Sequence, residues 1–243
     1  MYGSVRPGPS ARQRARGERG RRRLRFDGWI AGLGFSGGTR VVLGHWPRTP
    51  LGPFSDVMVE RPDGERLLLA PSREVADFVA ATYVFDTVRI VPVDVEVDTD
   101  GDGGGDGGGG GGRDADAGAG GRLWSVTAGP LALRFTVGRR GGLGLLLRAV
   151  PGALATRPAW CALTDGPARL LPGGVRTRGS AGGGRREWYG VRDLHAIAAA
   201  SAAHEGEDLG TLTPVTPPVR FGFGSVPRKP GLARVVTTVD VRE

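Results

Sequence analysis

The chain has 243 residues, of which 39% are hydrophobic, enough to bury a core, and its 44 glycines and 18 prolines favour a fold with many turns. No run of about eighteen apolar residues occurs, so the sequence predicts no transmembrane helix, and the basic N-terminus lacks the apolar segment of a secretory signal. The single cysteine, Cys161, excludes an internal disulfide and a multi-cysteine zinc site, and a cytoplasmic location is the expectation.

The net charge of +8 lies at the N-terminus, because residues 1–25 hold nine arginines against one acidic residue, Glu18. The remainder of the chain therefore carries no net charge. Residues 1–25 show no apolar periodicity, so we predict a disordered arginine-rich tail. Such a tail attracts nucleic acid through counterion release, at most weakly and without sequence specificity.

The clearest structural pattern lies in residues 39–71, after a glycine-rich first strand predicted over 26–35. Apolar and polar residues alternate in three short stretches, which are separated by prolines and by Pro62-Asp63-Gly64, a strong turn signal. We predict a strand and a following hairpin, formed by residues 41–46, 54–60 and 66–69.

Ser72 opens a predicted helix over 72–83, because it can cap the N-terminus and because Glu74 favours the helix dipole in the first turn. The next alternating segment, 84–97, predicts one long strand at a sheet edge, where Pro92 is tolerated.

Residues 98–121 are a low-complexity segment rich in glycine and aspartate. Asp98, Asp100 and Asp102 match the start of a calcium-binding loop, but Gly109 stands where that loop requires a bidentate glutamate. We predict a disordered loop between two strands of one domain.

The C-terminal half adds further strands. Residues 188–204 favour a helix by their alanine content and a strand by their alternation, and we favour the strand because the neighbouring segments are β. The other predicted strands are 123–128, 131–137, 143–150, 159–163, 169–171, 219–223 and 233–241. The pattern predicts a single mainly β (β-rich α+β) domain over 26–243, a partly closed barrel or sandwich with one short helix.

Motifs of common enzyme classes are missing from the sequence. Gly-x-Ser-x-Gly does not occur, and the glycine-rich stretches are too short for a dinucleotide fingerprint. The three histidines are scattered, and His195 and His204 are more typical of structural residues than of ligands. Cys161 is typical of a small buried hydrophobe. We therefore predict no cofactor and no metal.

The only compact polar cluster lies in residues 45–60. A carboxylate among apolar neighbours has a raised pKa and can serve in acid–base chemistry, whereas on a solvent-exposed face it would be an ordinary surface acid. In the strand 54–60, Asp56 and Glu60 share a face with apolar residues, and Ser55 lies on the other face. The cluster consists of His45, Arg48, Ser55, Asp56 and Glu60.

Gly52-Pro53-Phe54-Ser55-Asp56, followed by an apolar strand and by residues 70–78, resembles the acetoacetate decarboxylase-like superfamily, in particular its actinobacterial members. The resemblance covers residues 40–93. It implies a cone-like β-barrel with a central pocket, in which Asp56 stands at the position of a pocket glutamate.

The chain departs from this family at the catalytic lysine. The decarboxylase forms a Schiff base on a lysine in or near the segment that leads into the helix, where this chain has Ser72-Arg73. Arginine stays protonated and cannot form the imine, and Lys229 lies in a Pro-Arg-Lys-Pro turn. Schiff-base decarboxylation is therefore not expected.

Together these observations predict that the chain binds a small anionic organic molecule, of keto-acid or hydroxy-acid type, in a barrel pocket. Asp56 is the predicted acid or base. The predicted ligand-binding residues are His45, Arg48, Ser55, Glu60 and Arg73. The alternative is a non-catalytic binding or interaction module with weak nucleic-acid contact through the tail. No membrane partner is expected, and self-association into a homo-oligomer stays open.

Overall fold

The computed structural model describes residues 21–98, 121–149, 178–180, 185–222 and 226–242. Over these residues the chain is mainly β, and its strands join in one thirteen-stranded sheet. The strands predicted at 159–163 and 169–171, Cys161, and nearly all of the tail and of the acidic loop lie outside the described residues.

The strands are β1 (Arg21–Phe35), β2 (Arg40–Arg48), β3 (Phe54–Glu60), β4 (Arg66–Ala70), β5 (Thr87–Ile90), β6 (Val93–Asp98), β7 (Leu123–Ala128), β8 (Leu131–Arg140), β9 (Arg178–Ser180), β10 (Arg186–His204), β11 (Glu207–Asp208), β12 (Leu212–Thr213) and β13 (Gly231–Arg242). Two helices occur in the described part of the chain, α1 (Arg73–Ala80) and α2 (Gly142–Ala149). Neither is long enough to cross a membrane.

The sheet curls so strongly that its two edge strands, β5 and β6, are joined in the chain by only two residues. The hydrogen-bonded order is β5-β4-β3-β2-β1-β13-β10-β8-β7-β6, with β9, β11 and β12 as side additions. Because β5 and β6 stand at opposite ends of this order but are separated in the chain only by Val91 and Pro92, the sheet has to bend round on itself. This curled, half-barrel sheet confirms the predicted fold class.

The inside of the curl is a packed apolar core. Its side chains come from both halves of the sheet, so they meet across the curl. They include Leu33, Val41, Val57, Leu67, Val126, Leu133, Phe135 and Leu232, each at most 2% exposed. A ligand site therefore has to lie at an open end of the curl or on its outer face.

The outer face of β2–β4 is covered by a second layer, which consists of α1 and residues 81–86 and 214–222. Leu68 and Ala70 of β4 pack against the apolar face of α1, and Val42 of β2 packs against Phe221. The helix begins as predicted, because the Ser72 hydroxyl accepts a hydrogen bond from the Val75 amide at 3.3 Å.

Several predicted boundaries are wrong, and each has a local cause. The tail was predicted to extend to residue 25, but β1 begins at Arg21 and pairs with the end of β13. The long strand predicted over 84–97 is split between β5 and β6, since Pro92 has no N–H to continue a ladder. A strand was predicted over 143–150, yet residues 143–149 lie in α2, where the leucines favour a helix. The strand predicted over 188–204 is confirmed by β10.

Candidate functional site

The sheet divides the predicted polar cluster between its two faces. Val57 and Val59 point into the inner core, so Ser55 shares the inner face of β3 with them. Asp56 and Glu60 point outward, toward the covering layer. The five residues therefore do not form one site.

Asp56 is buried beneath the covering layer, so the solvent-exposed alternative does not apply to it. The Trp46 indole Nε1–H donates to its Oδ1 at 3.0 Å, while its Oδ2 has no partner among the described residues. Burial raises the pKa of the Asp56 carboxyl to about 7, and the Trp46 hydrogen bond only partly opposes this. Asp56 is thus poised to exchange a proton near neutral pH.

Gly44 makes the room for this hydrogen bond. It lies directly opposite Asp56 in the β2–β3 ladder. A Cβ atom at this position would stand 2.5 Å from both Asp56 Oδ1 and Trp46 Nε1, closer than real side chains approach. The absence of a side chain lets indole and carboxylate meet across the ladder.

Three further residues complete the group around Asp56. The hydroxyls of Tyr83 and Tyr189 both donate to Glu187 Oε2, at 3.1 Å each, and contact one another. Burial raises the pKa of Tyr189 most, and the charges of Glu187 and Asp56 raise it further. We call Asp56, Tyr83, Glu187 and Tyr189 the acid–tyrosine cluster.

The acid–tyrosine cluster has a buried and a half-exposed part. Asp56 and Glu187 are 1% and 2% exposed, whereas Tyr83 and Tyr189 are half-buried. Burial raises the pKa of Glu187 to about 7, while burial and the neighbouring groups hold the pKa of Tyr83 well above its usual range. Two carboxyls that titrate near neutrality therefore belong to the same cluster as two hydroxyls that remain protonated.

Sequence reasoning missed the other three members of the acid–tyrosine cluster. Tyr83 follows α1, while Glu187 and Tyr189 alternate on β10, more than a hundred residues further along the chain. The Glu-x-Tyr spacing puts both residues on one strand face, which was the available signal. The pairing that brings them to Tyr83 has no local signature.

Glu60 is a structural anchor. It is fully buried, with Arg40 at 2.9 Å and Arg220 at 2.8 Å, and it also accepts the Arg220 amide N–H at 2.7 Å. Burial alone would raise the pKa of Glu60, but the Arg220 hydrogen bonds and the Arg40 charge outweigh it and lower that pKa. Glu60 stays ionised and fastens the covering layer to β3.

The two arginines expected to bind the ligand lie at the surface. The side chain of Arg48 is 72% exposed and reaches only Asp27, at 3.5 Å. Arg73 is exposed in the first turn of α1. Within the described residues, neither arginine forms a hydrogen bond or an ion pair with the acid–tyrosine cluster.

His45 and Ser55 form a pair on the inner face. His45 Nδ1 and Ser55 Oγ are 2.9 Å apart, and the imidazole meets the Trp124 ring edge to face, with centroids 5.6 Å apart. Burial lowers the pKa of His45, and the nearby Arg234 charge lowers it further. The imidazole is therefore neutral at pH 7.

The other histidines lie apart from these groups. His195 Nε2 is 3.2 Å from Asp193 Oδ2, which also binds Arg140. His204 lines a pocket of about 480 Å³ together with Arg61 and Glu205, which form an ion pair of 3.1 Å. Within the described ranges, no three histidine, cysteine, aspartate or glutamate side chains gather closely enough to hold a metal ion.

No protein-family model, no curated protein and no solved structure matches this chain. The resemblance to the acetoacetate decarboxylase-like superfamily rests on residues 40–93 alone and remains a proposal.

Proposed function

We propose that the protein binds a small organic acid, of keto-acid or hydroxy-acid type, beside the acid–tyrosine cluster and moves a proton on it through Asp56. One observation carries this proposal: the hydroxyls of Tyr83 and Tyr189 meet at the buried Glu187, the charge of the buried Asp56 acts on Tyr189, and Asp56 Oδ2 has no partner among the described residues. Perturbed acids that gather in one cluster are typical of reactive sites.

The proposed chemistry is proton abstraction next to a carbonyl group. The Asp56 carboxylate takes the proton from the carbon, and the electron pair moves onto the carbonyl oxygen as an enolate. The hydroxyls of Tyr83 and Tyr189 remain protonated, and each turns its single hydrogen from Glu187 to that oxygen, which stabilises its charge. Return of the proton to carbon or oxygen completes the step and regenerates the carboxylate.

A Schiff-base route is not part of the proposal. Arg73 stands where the resemblance requires a lysine, and it cannot form an imine. Lys229 is exposed in its turn. The resemblance supports only the acid, since Asp56 stands at the position of the family's pocket glutamate.

Proton exchange at carbon tests this function. A panel of β-keto and hydroxy acids is incubated with the protein in D₂O, and deuterium incorporation is followed by NMR. We expect Asp56→Asn to slow incorporation about a hundredfold or more, since a positioned base contributes at least that much. Asp86→Asn is the matched control, because Asp86 is an exposed carboxylate bound to Arg66. Unchanged exchange in Asp56→Asn would refute the role of Asp56.

The alternative function is a non-catalytic binding or interaction module, and the apolar core that fills the curl favours it. Weak nucleic-acid contact through the tail belongs to this alternative. Because β1 contains four of the nine arginines, only five arginines and Glu18 precede it. The expected affinity is correspondingly low. The cytoplasmic location and self-association remain predictions.

Titration of DNA and RNA at several salt concentrations distinguishes nucleic-acid binding by the tail from binding by the folded domain. The full chain is compared with a chain that lacks residues 1–20. We expect weak, strongly salt-dependent binding that disappears with the tail. Tight binding that survives the truncation would instead assign nucleic-acid recognition to the folded part.

A further inference from the structure

A polar row crosses the inner face of the sheet near one end of the curl. The ladder registers place its members directly opposite one another on four adjacent strands, β13, β1, β2 and β3. The row consists of Arg234, Trp29, His45 and Ser55. Residues that are directly opposite in a ladder point to the same face, so these side chains lie side by side.

The next row into the curl is entirely apolar. Two residues along each strand, the same ladders align Leu232, Ala31, Leu43 and Val57. In the other direction, Asp27 pairs with Arg48, whose side chain is mostly exposed. The polar row therefore lies toward the open end of the curl, where Asp27 contacts Arg234 and His45 is half-buried.

Two buried N–H groups at this layer have no acceptor. Trp124 and Arg234 are 4% and 5% exposed, and neither Trp124 Nε1 nor Arg234 Nε has a hydrogen-bond partner among the described residues. Leaving a buried donor unpaired destabilises the folded state, because the N–H loses its hydrogen bond to water. Two such donors at one layer indicate an acceptor that completes them.

The side chains of both donors lie beside the Trp29 ring. The Trp124 ring lies 5.6 Å from the His45 ring and 6.2 Å from the Trp29 ring, measured between centroids. The Arg234 guanidinium lies 5.3 Å from the Trp29 ring centroid, and its charge acts on His45. Trp124 reaches this layer from β7, and Arg234 from β13, so the donors come from different parts of the curled sheet.

We propose that this layer is a second ligand site, which binds a small carboxylate with an apolar body. The carboxylate accepts the Trp124 Nε1–H and Arg234 Nε–H bonds, and the indoles of Trp29 and Trp124 provide apolar walls. Arg234 already contacts the Asp27 carboxylate and the Gly28 carbonyl oxygen through Nη1, so the ligand receives only its Nε–H. One such donor with aromatic neighbours suits a monoanion with a hydrocarbon part better than a phosphate, which is best held by several cations. The site does not depend on the function of Asp56, because Asp56 lies on the opposite face of β3.

The indole N–H signals in NMR provide a direct test. The full chain holds five tryptophans, so the ¹⁵N-labelled protein gives at most five such signals, and Trp124→Phe identifies the one from Trp124. Sodium benzoate is titrated, with benzamide and inorganic phosphate as comparisons. We expect benzoate to shift the Trp124 signal saturably at millimolar concentration, and the neutral amide and phosphate to leave it in place.

A pair of matched variants measures the contribution of the Trp124 donor. Trp124→Phe removes the N–H but keeps an aromatic ring, and we expect benzoate binding to weaken about tenfold. Trp188→Phe is the control, since Trp188 is equally buried but packs near Arg23 instead. Asp56→Asn should bind benzoate like the parent chain, which separates this site from the proposed catalytic one.

Several outcomes would overturn the proposal. They are the absence of a saturable shift in the parent chain, an equal response to benzamide, tighter binding of phosphate, or equal weakening by Trp188→Phe. If Trp124→Phe fails to fold, His45→Gln at the half-buried edge replaces it, with the same expected weakening, and the titration of the parent chain still decides.

Discussion

At the scale of single residues, Asp56 and Glu60 show how partners decide the behaviour of a buried acid. Both lie on the outer face of β3, four residues apart. Glu60 has two guanidinium partners and a backbone N–H, so its pKa is lowered. Asp56 has one indole N–H, so burial dominates and its pKa is raised. The same strand face thus holds a permanent charge and a proton-exchanging group.

The raised pKa of Asp56 predicts a specific pH dependence of stability. The Asp56 pKa is about 7 in the folded chain against an ordinary value of 3.8, so between these pH values the folded state holds a proton that the unfolded state has released. The free energy of unfolding should therefore fall as pH rises through this window. Asp56→Asn lacks this titration, and its stability relative to the parent should rise by about 3–4 kcal/mol from pH 4 to pH 7.

Urea unfolding at several pH values measures this difference. Asp86→Asn is the control, because Arg66 lowers the pKa of Asp86 to about 2, and its contribution changes only below pH 4. A constant stability difference between Asp56→Asn and the parent from pH 4 to pH 7 would mean that Asp56 titrates normally.

At the scale of elements, local signals predicted the structure wherever they were sufficient. The alternation and the Pro62-Asp63-Gly64 turn predicted β3 and β4, and Ser72 marked the start of α1. Long-range pairing had no such signal, so the sequence could not show that β10 brings Glu187 and Tyr189 to Tyr83. For the same reason the predicted site was incomplete: alternation separated Ser55 from Asp56 correctly, but Glu187 and Tyr189 come from a distant strand.

The β2–β3 pair supplies the prediction at this scale. Gly44→Ala places a Cβ against both Asp56 Oδ1 and Trp46 Nε1, so one of these side chains has to move. We expect a loss of about 1–3 kcal/mol in the free energy of unfolding, as for other overpacked sites. Gly141→Ala is the matched control, since nothing lies within 4 Å of its added Cβ. Equal stabilities of the two variants would show that the pair tolerates the side chain.

At the scale of the whole molecule, the curl depends on the connection between its edge strands. β5 pairs in parallel with β4, and β6 pairs with β7 at the other end of the sheet. Val91 packs against the inner core between them, and its amide donates to Ala70 at 2.9 Å. Proline at 92 ends one ladder and releases the chain to begin the next. Pro92, which predicted an edge strand, therefore lies where the chain passes from one edge of the curled sheet to the other.

The long strands β1 and β13 in the middle of the sheet give the last prediction. Residues 21–25 pair only with β13, and Leu24 is buried against Phe26 and Val239. A chain that lacks residues 1–20 should keep the melting temperature of the parent, because it retains this ladder. A chain that lacks residues 1–25 loses the ladder and the Leu24 side chain, and we expect a cost of about 2–5 kcal/mol, of which Leu24→Ala in the full chain reproduces a large part. Calorimetry of the three chains decides, and equal melting temperatures for the two truncations would place the start of the domain at residue 26 after all.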